Sequence, residues 1–335
     1  MGYFERKELY HSIEQDRKTK VLSFVTSDRQ GMETQIAQDC IDPFVDLLEK
    51  IGPTNRISLI LHTNGGQTLV AWRLVNLIRM FCEELEVLIP LKALSTGTLI
   101  SIGADRVVMT KQATLGPIDP SVNNPLNPQA VIDGQSKQVP VSVESVRGYL
   151  DAARDELKIR EEQSLTSVLL DLTSHIHPLV LGEIFRSQAQ IRFLAEKLLS
   201  QQISEQDKIK SIIDFLCADS GSHDYTINRR EAAELGLSIE KPSDALYKQL
   251  RKIHLNYNEE LKLLEPYNAQ ALIVGAKPNH PVLYTIPRAL VEGTVGGCYG
   301  FVSEGTLVRV QVQTNSGLHE GVKDERTFEG WKKLK

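Results

Sequence analysis

The chain has 335 residues, 41% of them apolar and 24% charged, which suffices for one large domain or two smaller ones around a substantial core. Its 38 Lys and Arg stand against 43 Asp and Glu, a formal charge of −5 with both signs scattered, so no basic face for nucleic acid or anionic lipid stands out. Cys40, Cys82, Cys217 and Cys298 lack C-x-x-C spacing, which speaks against a zinc ribbon or a disulfide framework and for reduced, mostly buried thiols.

Residues 1–20, MGYFERKELYHSIEQDRKTK, are charged throughout and carry no apolar signal region, and no run reaches the ~18 apolar residues of a membrane span. The expectation is a cytoplasmic protein without membrane insertion. Short branched runs at 21–27 (VLSFVTS), 57–63 (ISLILHT), 86–93 (EVLIPLKA) and 106–110 (RVVMT) predict strands. Between them the periodicity predicts helices over 33–51, 67–82 and 97–104, the second burying Leu69, Val70, Leu74, Ile78 and Phe81. Such alternation predicts an α/β fold with a mostly parallel sheet covered by helices.

Pro117, Pro120, Pro125 and Pro128 punctuate 117–145, a polar segment that reads as a surface excursion. Residues 145–160 and 164–218 read as an α-helical arm, broken at His177-Pro178 and before a helix start near Ser204. Asn228 is placed to cap a helix over 229–235 that Gly236 ends, and another helix follows over 243–264. The last 70 residues are strand and turn, a small β-rich C-terminal appendage. The expected division is an N-terminal extension (1–20), a main domain (21–242) containing the arm (145–218), and a linker helix with the β-rich region (243–335).

Two segments carry candidate chemistry. In HTNGGQ (62–67) a strand ends in Asn-Gly-Gly and a helix begins, so Gly65 and Gly66 can take φ > 0 and leave backbone N–H groups uncovered for an oxyanion. In KALSTGTLISIGADRVVM (92–109) a strand ends and Ser95 opens an apolar helix, where the dipole favours a developing alkoxide and the Thr96 amide can meet a carbonyl oxygen. Each alone is also an ordinary turn or an N-cap. Together they occupy the same end of adjacent strands, where open α/β sheets place ligands.

These motifs, with LGPIDP (115–120), IHPLVLG, and SHDYTINRREAAELGL, resemble the serine dehydrogenase proteinase family, cousins of signal peptide peptidase A in the Clp protease proteolytic subunit superfamily. The resemblance spans about residues 55–240. It implies the ClpP/crotonase-like fold and a serine endopeptidase acting on protein or peptide substrates without cofactor or metal, with Ser95 as nucleophile, Gly65 or Gly66 as first oxyanion donor and the Thr96 amide as second. It also implies a homo-oligomer assembled through the helical arm. The histidine that Clp-type subunits carry after the serine has no counterpart in LGPIDP. Asp224 matches their triad aspartate; the base is then His223 beside it, or Lys137, 42 positions after Ser95, as in Ser-Lys relatives, with Asp119 able to orient either.

His62 reads as a strand-end residue, and His175 and His177 as capping or contact residues rather than metal ligands. No Walker A sequence occurs, so any unfolding by ATP would come from a separate unfoldase or regulator. The rival readings are a crotonase-type acyl-CoA enzyme and a catalytically inactive oligomeric scaffold, the latter favoured by the missing histidine.

Overall fold

The computed structural model describes residues 2–118, 121–122, 124–132, 135–219, 224–275, 277, 280–314 and 317–335. The chain divides into two compact units, Met1–Leu115 with Asn228–Lys335, and Gly116–Ile227. The first begins with α1 (Tyr3–Arg17), β1 (Lys20–Thr26), α2 (Ile41–Ile51), β2 (Thr54–His62), α3 (Thr68–Arg79), β3 (Cys82–Ile89), β4 (Lys92–Ala93), α4 (Thr96–Ile102), β5 (Arg106–Met109) and β6 (Thr114–Leu115). The second contains β7 (Ser121–Val122), β8 (Gln129–Ile132), β9 (Gln135–Gln138), β10 (Val141–Ser142), α5 (Val143–Asp151), α6 (Glu162–His175), α7 (Pro178–Leu199) and α8 (Gln206–Asp214). After β11 (Ile227–Asn228) the first unit resumes with α9 (Arg229–Glu234), β12 (Ile239–Glu240), α10 (Asp244–Leu261), α11 (Ala269–Leu272), β13 (Val282–Gly293), β14 (Cys298–Thr314) and β15 (Gly317–Lys333).

The fold is mixed α/β with a β-rich C-terminal region. Eight strands form one sheet in the order β12-β5-β3-β2-β1-β13-β14-β15. The first five are mutually parallel, and β13, β14 and β15 continue the sheet antiparallel from β1. Alternation along β1 separates the two faces. Val21 and Val25 join Ile60, Leu88 and Val108 in a core with Tyr10 and Ile13 of α1 and Leu250, Ile253 and Tyr257 of α10. Phe24, of opposite parity, meets Phe44 of α2 edge to face, with ring centroids 5.3 Å apart.

The terminal segments are integral to this unit, which differs from the boundaries expected of a separate extension and linker region. α1 lies under the sheet, and the fully buried Arg6 donates to Glu292 of β13 (2.9 Å from Nε) and to Asn256 and Glu260 of α10. Tyr10 Oη donates to the same Glu292 (2.7 Å) and meets Tyr257 Oη (2.8 Å). Burial among these groups pushes the Tyr10 phenol well above its ordinary range, with the Glu292 carboxylate adding to the effect.

Other expectations shift locally. The helix expected over 33–51 begins only at Ile41, after a single 3-10 turn at Gln38–Cys40, because Ile36 is used as a strand residue bridged to Gly66. On α3, Val70, Leu74 and Ile78 are buried as expected, together with Ala71 and Val75, but Leu69 is exposed and Phe81 half-buried beyond the helix end. Asn228 caps α9 through Oδ1, which accepts from the amides of Arg230 (2.9 Å) and Glu231 (3.2 Å), and Gly236 leaves the helix with φ +97°.

In the second unit, Val143 and Val146 of α5 pack with Leu172 of α6 and with Val180, Leu181 and Ile184 of α7. His177 caps α7, its Nδ1 accepting from the Leu179 amide at 3.2 Å. Among the described residues no single helix is long and apolar enough to cross a membrane; α6 and α7 pass such a test only as a pair, bent by 102°.

Candidate active site

The site grows from the carboxyl ends of β2 and β3. Past β2 the chain must turn into α3, and it does so through Gly65 (φ +118°) and Gly66 (φ +152°), conformations that a side chain would strain. Space is equally restrictive. A Cβ on Gly66 would lie 2.1 Å from the Ile36 carbonyl oxygen, and one on Gly65 would lie 2.8 Å from Ser95 Cβ. Ile36 clamps this turn, donating its amide to Gly65 O and accepting from the Gln67 amide, both at 2.8 Å.

From β3 the chain passes through β4, where Thr63 and Ala93 form a parallel bridge, and reaches Ser95. Ser95 has φ +50° and ψ −112°, a rare conformation for a residue bearing a side chain. It is half-buried, and among the described residues Oγ has no hydrogen-bond partner. Ser95 therefore does not cap α4 through its side chain, which removes the ordinary structural reason for a serine at this position.

Strand geometry sorts the backbone donors. The Gly65 amide is committed to Thr63 Oγ1 at 3.0 Å, and the Gly97 amide to Leu94 O at 2.8 Å. Among the described residues the amides of Gly66 and Thr96 have no acceptor. The two are joined by a further bond, Thr96 Oγ1 donating to Gly66 O at 2.6 Å. In an extended segment the N–H and C=O of one residue point to the same side, so the free Gly66 amide faces the side on which Thr96 sits. Of the two glycines expected to donate to an oxyanion, Gly66 is the one with its donor free.

The residues expected to act as base lie elsewhere in the chain. Lys137 is exposed on β9, opposite Ala130 of β8, within the second unit. Asp224 is exposed in the same unit, while His223 and Asp119 lie outside the described residues. No described side chain of the first unit hydrogen-bonds Ser95 Oγ, so that unit by itself brings together the nucleophile candidate and two free amides, but no base.

His62 ends β2 with both ring nitrogens buried and unpartnered, packed on His254 of α10 with ring centroids 5.1 Å apart. Burial, reinforced by His254 and Lys92, lowers its pKa to about 3. A ring held neutral and enclosed in this way is a core residue. Sequence reading missed Ile36 and Thr63, which support the turn. Their only signal is β-branching, and the bridge that gives Ile36 its role spans thirty residues.

Residues 3–145 match the family described as ClpP-like SDH-type serine proteinase. The match begins in α1, ahead of the stretch in which the motifs were recognised. An uncharacterized protein of Methanocaldococcus jannaschii is 29% identical over 184 residues, covering 55% of this chain and 53% of the relative. The chain thus spans about half the length of that relative. A second uncharacterized protein of the same organism is 25% identical over 291 residues, 84% of this chain and 81% of the relative. Among solved structures, a mutant of the 1510-N membrane-bound stomatin-specific protease overlaps 69% of this chain and 84% of its own, with 14% identity and a TM-score of 0.39. ClpP1 from Listeria monocytogenes overlaps 70% of this chain and 98% of its own, with 14% identity and a TM-score of 0.35.

Proposed function

We propose that this chain, whose residues 3–145 carry the pattern of ClpP-like serine proteinases, is a serine endopeptidase with Ser95 as its nucleophile. The observation that carries the reading is the pairing of an uncapped, half-buried serine at φ +50° with the free amides of Gly66 and Thr96. Ser95 Oγ attacks the scissile carbonyl carbon as a base takes its proton, and the two amides receive the oxyanion. The proton passes to the leaving amine, the C–N bond breaks, and water then hydrolyses the acyl-enzyme by the reverse sequence. The base is His223 or Lys137, the two candidates the sequence offers.

The second unit also supports the expected homo-oligomer. Leu169 and Leu170 of α6 and Leu179, Phe185 and Phe193 of α7 are all exposed, more apolar surface than a solitary helical arm needs.

Labelling by a fluorophosphonate, mapped by mass spectrometry, tests the reading. The expected adduct is on Ser95, is absent in Ser95→Ala, and falls at least ~100-fold in either His223→Ala or Lys137→Ala. A folded protein that never labels would instead support an inactive scaffold, the reading favoured by the histidine missing from LGPIDP.

A further inference from the structure

We propose that a pocket at the start of α10 binds a small phosphate-bearing anion of two or more charges. The cavity, about 460 Å³, is lined by Lys111, Arg229, Lys241, Pro242, Asp244, Tyr247 and Lys248, all of the first unit. Four cations face one carboxylate there, in a chain whose overall charge is negative. Among the described residues none of the four forms an ion pair. By contrast, Arg17 is paired with Glu86 and Glu240, and Arg56 with Glu84.

The surroundings increase the excess of positive potential. The 18-residue α10 starts at this pocket, and cations at a helix start oppose its dipole. Ser243 Oγ accepts from the Leu246 amide, which leaves the first-turn amides of Asp244 and Ala245 for an outside acceptor. Two of the cations are held in place without being neutralised. Arg229 Nη1 donates to Met109 O (3.3 Å), and Lys111 Nζ lies over the Tyr247 ring, 4.9 Å from its centroid. A compact ligand with adjacent charges relieves the mutual repulsion of several cations at once, which a single carboxylate cannot do. The volume fits a small molecule rather than a chain segment. This site uses neither Ser95 nor its amides, so its test is independent of the proposed hydrolysis.

Calorimetric titration of the full chain with inorganic pyrophosphate, at constant ionic strength, tests the proposal. The expected result is one site per chain with Kd below about 1 mM, and orthophosphate at least about tenfold weaker. Lys111→Glu/Lys248→Glu abolishes the heat, while the charge-matched Lys158→Glu/Lys208→Glu, in the other unit, leaves it unchanged. Lys241→Ser, in the exposed turn before the helix, weakens binding about tenfold and serves if the double variant fails to fold. No saturable heat with the unaltered chain, equal binding by both double variants, or tighter binding of hexaglutamate than of pyrophosphate would overturn the proposal.

Discussion

At Ser95 the backbone carries strain for which the fold offers no structural use, since the side chain caps nothing. A residue held at an unfavourable φ, ψ costs about 1–3 kcal/mol, and glycine removes most of that cost. Ser95→Gly is therefore expected to raise unfolding free energy in urea by about 1 kcal/mol while eliminating fluorophosphonate labelling, whereas Ser95→Ala eliminates labelling with no such gain. The buried histidines give a pH dependence whose sign follows from linkage. Burial depresses the folded pKa of His62 to about 3 and that of His254 to about 4, while both titrate near ~6.5 once unfolded. Between those values the unfolded chain binds more protons, so stability present at neutral pH is lost as pH falls below ~6.5. For His62 alone the loss reaches about 2 kcal/mol by pH 5, and His254 adds in the same direction. Urea unfolding from pH 7 to 5 should show this slope in the wild type, and a flatter one in His62→Phe.

Between elements, the polar cluster around Arg6 ties α1, α10 and β13 together under the sheet. Taking away one member leaves a buried charge without its counterpart, which costs more than the pair contributes. Arg6→Met is expected to destabilise by about 3–5 kcal/mol, and Arg6→Met/Glu292→Leu to recover part of that loss, both read by urea unfolding. Sequence periodicity located β1, β2 and β5 closely, because each is short, branched and bounded by turn chemistry, whereas the run expected over 86–93 spans the second half of β3 and all of β4. It did not separate residues 33–40 from α2. The apolar residues there, Ile36 and Ala37, suit a helix period, and only the distant Gly66 draws Ile36 into a bridge.

On the scale of the whole molecule, chain ends some 290 residues apart in sequence build one unit. β13 pairs with β1 from Leu22↔Gly293 to Thr26↔Ala289, so the C-terminal strands cover an edge that would otherwise be open. Truncation after residue 280 is accordingly expected to give an insoluble or unfolded chain rather than a smaller folded one, as judged by expression and circular dichroism. The local grammar of the sequence determined the α/β class, the Gly-Gly turn, the serine at a helix start and the cap at Asn228, because each depends on a few neighbouring residues. Tertiary structure alone decided that Gly66 rather than Gly65 keeps its amide free, that His62 lies neutral against His254, and that the terminal segments share one sheet. Those outcomes depend on partners 30 to 290 residues away, and such contacts leave no period in the chain that makes them.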